Sequence, residues 1–324
     1  MWIKSACLGA LLSVSLAFGA SAQSAADFPT GTVRIMVPFA AGGPTDVVAR
    51  ILGELLSARW GGKPVVIENR PGAGTIVATA AVAKAAPDGH TVLMGTNSLL
   101  INPAIDMKLP YDTAKELTGV SMIATQPVAL VANKSFPANA IADVVAEAKK
   151  RSGKLDYTSP GPRGVGHLAG EMLKQKAGIQ MTHINYNGSA PALTDVIAGR
   201  VPLIFDIWHS AKRYVDSGDL KLIAGAGVER LADAPQVPTI AETFPGFDVI
   251  AFNAVVAPSA TPRPVIEKLS ADIRAVVDSR EFAERTKNLG IFPKGSTPAE
   301  LDAWMKEQTE RWKDIANAAG IKAE

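Results

Sequence analysis

The chain has almost no cysteine: Cys7 is the single one in 324 residues. It lies in an N-terminal apolar segment without the small apolar flank of a lipidation site, so removal of that segment leaves neither a disulfide nor a thiol nucleophile. A mature chain of this length without disulfides is held by its core, and it is long enough for two domains. Charge of one sign is also missing. Lys and Arg number 33 against 31 Asp and Glu, a formal net charge of +2, which is a poor electrostatic footprint for nucleic acid. Any anion recognition must therefore be local. The four histidines, His90, His167, His183 and His209, are scattered without metal-ligand spacing, so no metal site is expected. No G-x-S-x-G elbow, S-x-x-K pair, H-E-x-x-H or Walker loop occurs. Gly72-Ala73-Gly74 begins like a dinucleotide fingerprint, but Val77 takes the place of the third glycine and Arg70-Pro71 interrupts the strand-to-turn link; no cofactor is expected. Low-complexity tracts and short-period repeats are absent too, which excludes a solenoid.

Long apolar runs are confined to the N-terminus. Lys4 is the only charge before the run 6–18, and Ala20 and Ala22 place small residues at an A-x-A site. Residues 1–22 therefore read as a secretory signal cleaved after Ala22. The run falls short of the roughly 20 apolar residues a membrane span needs. An exported, soluble mature chain is expected.

What the chain does have is a rhythm of strands and helices. Val33, Ile35 and Val37 alternate at strand spacing, while Val47, Val48, Ile51, Leu52, Leu55 and Leu56 repeat at helical spacing. Between them, Gly42 and Gly43 leave backbone N–H groups open to close approach, and Pro44 and Thr45 suit the first helical turn. Such a turn can seat a carboxylate or phosphate on unpaired donors at a helix N-terminus. Many strand-to-helix turns use glycine and bind nothing, so the turn alone does not choose. Further strands are predicted at 65–68, 91–94, 128–132, 155–158, 184–187 and 201–206, and helices at 74–86, 140–152, 164–177 and 191–198. From Thr261 the pattern turns helical, through 264–277, 282–289 and 298–318, and this block is expected to pack back on the first lobe. The βαβ alternation argues mostly parallel sheets flanked by helices, with a cleft at the strand carboxyl ends.

Several other turns look built for binding. Thr96 and Ser98 follow the strand 91–94. The segment 158–167 combines Ser159, Gly161, Arg163, Gly164 and His167 at the entry to a helix; a solvated loop would look the same. Asn187 and Gly188 form a third such turn. Asp206 ends a strand and could accept a bond from a ligand hydroxyl or amine, or cap the next helix. Trp208 is as well placed for a core as for a ligand wall.

In order, these residues match a family. They run from Val37-Pro38-Phe39 through Gly42-Gly43, Asp46 and Ala49-Arg50 to Glu68-Asn69-Arg70-Pro71-Gly72-Ala73-Gly74 and Pro87-Asp88-Gly89. Then come Ser159-Pro160-Gly161, His167-Leu168-Ala169-Gly170-Glu171, Ala190-Pro191-Ala192, Asp195 and 235–242. The set resembles the periplasmic substrate-binding proteins of tripartite tricarboxylate transporters, the Bug family, over nearly the whole mature chain. The resemblance implies an α/β, two-lobed, Venus-flytrap fold of type II-like form. Residues 23–124 plus 252–324 would form domain 1 and residues 125–251 domain 2. It implies a monomeric periplasmic protein that passes a small organic carboxylate to membrane transporter subunits. The carboxylate would sit at 39–46, where Phe39, Ala41, Gly42, Gly43, Thr45 and Asp46 stand, and the opposing lobe would add 159–167 and Asp206. Six positions depart from the pattern: His90 replaces a tyrosine, Ile76 and Val77 replace small residues, Asn187 replaces a basic residue, and Trp208-His209 is unusual. Loss of a basic residue beside a gained aromatic favours a monocarboxylate or an aromatic acid, with Trp208 or Phe39 as a stacking wall. Two other readings stay open: an exported hydrolase or isomerase using Asp46, His167 or Asp206, and a ligand-presenting partner of a membrane sensor.

Overall fold

The computed structural model describes residues 27–321 other than 106, 152, 162 and 187, so the expected signal segment lies outside the described residues. The first strand, β1 (Val33–Val37), buries Val33, Ile35, Met36 and Val37 and is covered on both faces. Helix α1 (Pro44–Arg59) follows its glycine turn, with proline in the first turn and Val48, Ala49, Ile51, Leu52 and Leu56 buried. β2 (Val65–Asn69) and β3 (Thr91–Gly95) flank β1 and run parallel to it. Between them a single 3-10 turn, Ala73–Thr75, precedes α2 (Ile76–Ala83). The helix predicted at 74–86 starts later because Gly74 and Thr75 hold positive φ, 60° and 81°. Two short helices come next, α3 (Ser98–Ala104) and α4 (Thr113–Glu116), the latter capped by the Asp112 side chain.

The central feature is β4 (Leu117–Asn133), a strand of 17 residues of which only 128–132 was predicted. Pro127 reads as a boundary in the sequence. In the fold it marks a change of partner within one continuous strand. Residues 117–127 pair with a later strand, β9, and residues 128–133 pair with β7 and β8.

α5 (Ile141–Arg151), β5 (Asp156–Ser159), α6 (Val165–Ala177), β6 (Thr182–Asn185), α7 (Ser189–Ile197) and β7 (Leu203–Ile207) repeat the βα rhythm. β6 begins two residues before the predicted 184–187, since Asp156 of β5 pairs with Thr182. α8 (Trp208–Asp216) starts directly at the end of β7 and has no side-chain cap, which is why no helix signal precedes it. β8 (Leu220–Gly225), α9 (Ile240–Thr243) and β9 (Ile250–Pro258) complete the middle of the chain. α10 (Arg263–Val277), α11 (Arg280–Lys287), the two-residue β10 (Phe292–Pro293) and α12 (Pro298–Ala319) close it.

The strand order is β2-β1-β3-β9-β4-β7-β5-β6, with β8 and β10 also on β4. β2, β1 and β3 form a parallel set at one end, and β6, β5 and β7 form another at the far end. The long strands β4 and β9 run antiparallel to their neighbours between the two sets. Of the C-terminal helices, α10 packs on α1 and β4. α12 reaches further, touching α3, β4 and α6. No helix of the described residues is long and apolar enough to cross a membrane.

Candidate functional site

A cavity of 1260 Å³ opens where both parallel sets present their strand carboxyl ends. The first set contributes the turn 38–45, the segment 71–76, and Thr96, Asn97 and Ser98. The crossing strands contribute Gln126 and residues 251–253. The second set contributes Pro160, Gly161, Arg163, Gly164, Tyr186, Gly188, Ser189, Asp206 and neighbours.

Three of the helices that meet this cavity, α1, α6 and α7, begin at glycine. Gly43, Gly164 and Gly188 are their N-cap residues, none gives a side-chain cap, and all three line the cavity. A helix N-terminus holds unpaired N–H donors and the positive end of the macrodipole. A serine or aspartate at the cap would satisfy one of those donors itself. Glycine leaves them to whatever enters.

The turn after β1 is held from behind. Asp46 is 1% exposed and does not line the cavity. Its Oδ2 accepts from the Gly42 N–H at 2.8 Å and from Arg50 Nε at 2.8 Å, and its Oδ1 accepts from Asn69 Nδ2 at 2.9 Å. Asn69 Nδ2 also donates to the Phe39 carbonyl at 3.0 Å. Burial pushes the Asp46 carboxyl up, but the bonds from Arg50, Gly42 and Asn69 outweigh it and hold it below the usual range. Asp46 therefore shapes the turn, and the Gly42 N–H expected to face a ligand is already spent on it.

The turn after β5 is held in the same manner. Ser159 is fully buried, and its Oγ donates to the Gly161 carbonyl at 2.9 Å and meets His183 Nε2 at 2.8 Å. His167 Nδ1 accepts from the Arg163 N–H at 2.9 Å, fixing Arg163 at φ 58°. The two imidazoles stack 3.9 Å apart. Burial holds both below the ordinary histidine value, at about 4. Neither Ser159 nor His167 lines the cavity, so both support the turn where a direct ligand contact was expected.

Trp208 requires a correction. It is 6% exposed, packs with Ala129, Val131 and Ile204, and donates from Nε1 to Asp233 at 2.8 Å. Its position as the first residue of α8 sends the indole into the core, away from the cavity lining. Phe39, 38% exposed, does line the cavity, as does Ile76. His90 sits away from it, beside Phe28, bonded through Nε2 to Thr30 and Gly31. Asn187 lies outside the described residues. Of the remaining expected positions, Ala41, Gly42, Gly43, Thr45, Thr96, Ser98, Gly161, Gly164, Gly188 and Asp206 all meet at the cavity.

Asp206 is 1% exposed. Its Oδ1 accepts from Ser189 Oγ at 3.0 Å and from the Ile207 N–H at 2.7 Å, while Oδ2 has no partner among the described residues. Burial, only partly offset by those bonds, pushes its carboxyl up to about 7. Asp206 and Arg163 are the only charged side chains among the described residues lining the cavity.

The lining residues that sequence reasoning missed include Gln126, Asn253 and Asn97. Gln126 Nε2 donates to Asn253 Oδ1 at 2.9 Å across β4 and β9. Asn97 Nδ2 donates to the Ile250 carbonyl at 2.9 Å, and its Oδ1 accepts from the Phe252 N–H at 3.2 Å. The available signal was a polar residue inside an apolar run: Asn253 is the one polar side chain in 249–257.

Residues 48–321 match the family described as tripartite tricarboxylate transporter family receptor. A protein of Pseudomonas sp. (strain P51), from the tcbD-tcbE intergenic region, is 34% identical over 310 residues, covering 94% of this chain and 92% of its own length. An R. palustris protein solved with adipate superposes with a TM-score of 0.81 at 32% identity, covering 91% of this chain and 99% of its own. MatC from Rhodopseudomonas palustris with bound malate gives 0.77 at 32% identity, covering 89% and 99%.

Proposed function

The chain belongs to the tripartite tricarboxylate transporter receptor family, and on that premise we propose that its cavity captures a small organic carboxylate for uptake by membrane transporter subunits. The observation that carries this is the convergence of three glycine-capped helix N-termini on one cavity. A carboxylate there gains charge-assisted bonds to backbone donors, each worth roughly 1.5–3 kcal/mol. Adipate and malate, the ligands named for two structural relatives, are of this class.

The mature protein is a periplasmic monomer released by cleavage near Ala22. Residues 23–124 and 252–324 make one lobe, residues 125–251 the other, and the chain crosses in β4 near Thr125 and at the start of β9 near Ala251. The ligand is a monocarboxylate or an aromatic acid, with Phe39 as the aromatic surface. Charge supports this: one arginine and one aspartate give the described lining no cationic excess for a trianion. Of the three candidates for acid–base chemistry, Asp46 and His167 sit behind the turns and Asp206 alone lines the cavity, with no second carboxyl or imidazole beside it among the described lining residues, which favours binding over turnover.

The test is a thermal-shift screen of the mature protein against small carboxylic acids, followed by mass analysis of the best hit. A ligand at 100 times its dissociation constant stabilises by about 2.7 kcal/mol. A hit recovered unchanged supports the receptor reading, and a converted one makes the protein an enzyme. Preference for citrate over benzoate-like acids overturns the monocarboxylate assignment.

A further inference from the structure

We infer that Asp206 selects the far end of the ligand: the cleft prefers acids whose second terminus is a hydrogen-bond donor, a hydroxyl or an ammonium, over plain alkanoates and over dicarboxylates of the same length. This rests on the carboxylate reading above and adds a polarity to it.

The two sides of the cavity are not equivalent. On the first side, the turn after β1 carries its one carboxylate, Asp46, folded away from the cavity into bonds with Gly42, Arg50 and Asn69. The N-terminus of α1, a helix of 16 residues, is left for the carboxylate of a ligand. On the second side the protein supplies a carboxylate of its own. Asp206 stands at the end of β7, and Ser189, the first residue of α7, donates to its Oδ1. The first turn of α6 lies against the same strand end, so close that a Cβ on Gly166 would come within 2.4 Å of the Phe205 carbonyl. The first residue of α7 thus already bonds an aspartate in place, and the first turn of α6 packs against the same strand end.

Oδ1 is satisfied and Oδ2 is not. Oδ2 is a buried acceptor on a side chain 1% exposed, in a residue that lines the cavity. A buried acceptor without a donor is costly, and a ligand that brings the donor removes that cost. A methyl terminus leaves Oδ2 unpaired. A second carboxylate brings acceptors and like charge to it. A hydroxyl or ammonium completes it.

Two series of probes separate these cases: butanoate, 4-hydroxybutanoate, 4-aminobutanoate and succinate, and the corresponding hexanoate, 6-hydroxyhexanoate, 6-aminohexanoate and adipate. Affinities are measured by calorimetry at pH 8.5, where the Asp206 carboxyl is ionised, on the full mature chain and on Asp206→Asn, whose folding is checked by its melting curve. In whichever series fits the cleft, the hydroxy or amino acid should bind at least about tenfold tighter than the alkanoate and the diacid. Asp206→Asn replaces Oδ2 or Oδ1 with an NH2 donor, and the ratio of hydroxy acid to diacid should fall by a similar factor. A diacid that equals or exceeds the donor-ended acids in the wild-type protein overturns the inference, whether or not the variant folds, and leaves carboxylate capture standing. An unchanged ratio in a folded Asp206→Asn overturns it as well. Failure of all eight acids to bind overturns the inference and leaves carboxylate capture to be decided by the aromatic acids of the thermal-shift screen.

Discussion

His167 and His183 form a partly buried stack beneath the cavity-lining turn after β5, and pH should reach the fold through them. Burial lowers both to about 4, with Lys174 and Arg163 adding to it at His167 and His167 and Lys174 adding at His183, where Asn185 and Glu171 pull the other way. The unfolded chain therefore binds more protons than the folded one between the ordinary histidine value and pH 4, so stability falls as pH falls through that window. Asp206, raised to about 7, acts in the opposite sense over the same range. Two imidazoles against one carboxylate leave a net loss on acidification. His183→Gln removes one of the two, and its stability between pH 6.5 and 5 should be nearly flat while the wild type loses on the order of 1 kcal/mol per pH unit. Urea unfolding at the two pH values measures it, and equal slopes would refute the assignment. At this scale the sequence was partly legible. Glycine turns and Asp206 could be read, because strand-end turns carry their chemistry in consecutive residues. Ser159, His167 and Trp208, expected at the ligand, lie off the cavity lining, since an aromatic or polar residue next to a turn points inward or outward according to packing.

At the scale of elements, the glycine caps and one buried aspartate lead to separate predictions. Gly43 has φ −77° and ψ 167°, ordinary extended backbone, and a Cβ there meets only the Ala40 carbonyl at 3.6 Å. Gly43→Asp should fold, gain a few tenths of a kcal/mol from self-capping, and lose ligand affinity by at least about tenfold as its own carboxylate takes the seat. Gly43→Ala should bind nearly as the wild type does. Calorimetry with the best screening hit distinguishes the two, and wild-type affinity in Gly43→Asp would remove this turn from the site. Asp272 on α10 is 3% exposed and accepts from Arg59 Nε and Trp60 Nε1, both at 2.7 Å, at the C-terminal end of α1, and from Lys268 on its own helix. Burial pushes its carboxyl up, and the bonds from Lys268, Trp60 and Arg59 more than offset that. Asp272→Ala orphans the indole N–H and should cost about 2–3 kcal/mol in chemical denaturation. A loss under 0.5 kcal/mol would show that these partners find water instead.

For the whole molecule, β4 and α12 are the elements that matter. β4 serves both parallel sets, with its change of partner after Pro127, and β9 begins opposite that point, Ile250 against Pro127. Closure by rotation at these crossings would bring the α1 turn toward the α6 and α7 turns around a ligand. Small-angle scattering should show a smaller radius of gyration with the best screening hit than without it. An unchanged radius at saturation would mean that the ligand binds without closure. α12, packed on α3, β4 and α6, spans the crossing and has to yield or slide in any such motion.

The sequence by itself determined the α/β class, the export signal as an expectation, the family, and the glycine turns at the strand ends. Each of these rests on neighbours in the chain: periodicity, turn residues and short ordered motifs. Tertiary structure alone decided which of those residues face the cavity. Asp46 and Trp208 are turned away from it by bonds to Arg50 and Asn69 and to Asp233, while Gln126 and Asn253 are brought into it by the long register of β4 with β9 and Asn97 by its bonds to Ile250 and Phe252. That register joins residues more than a hundred positions apart, as with Gln126 and Asn253, and no local pattern carries a pairing at such separation.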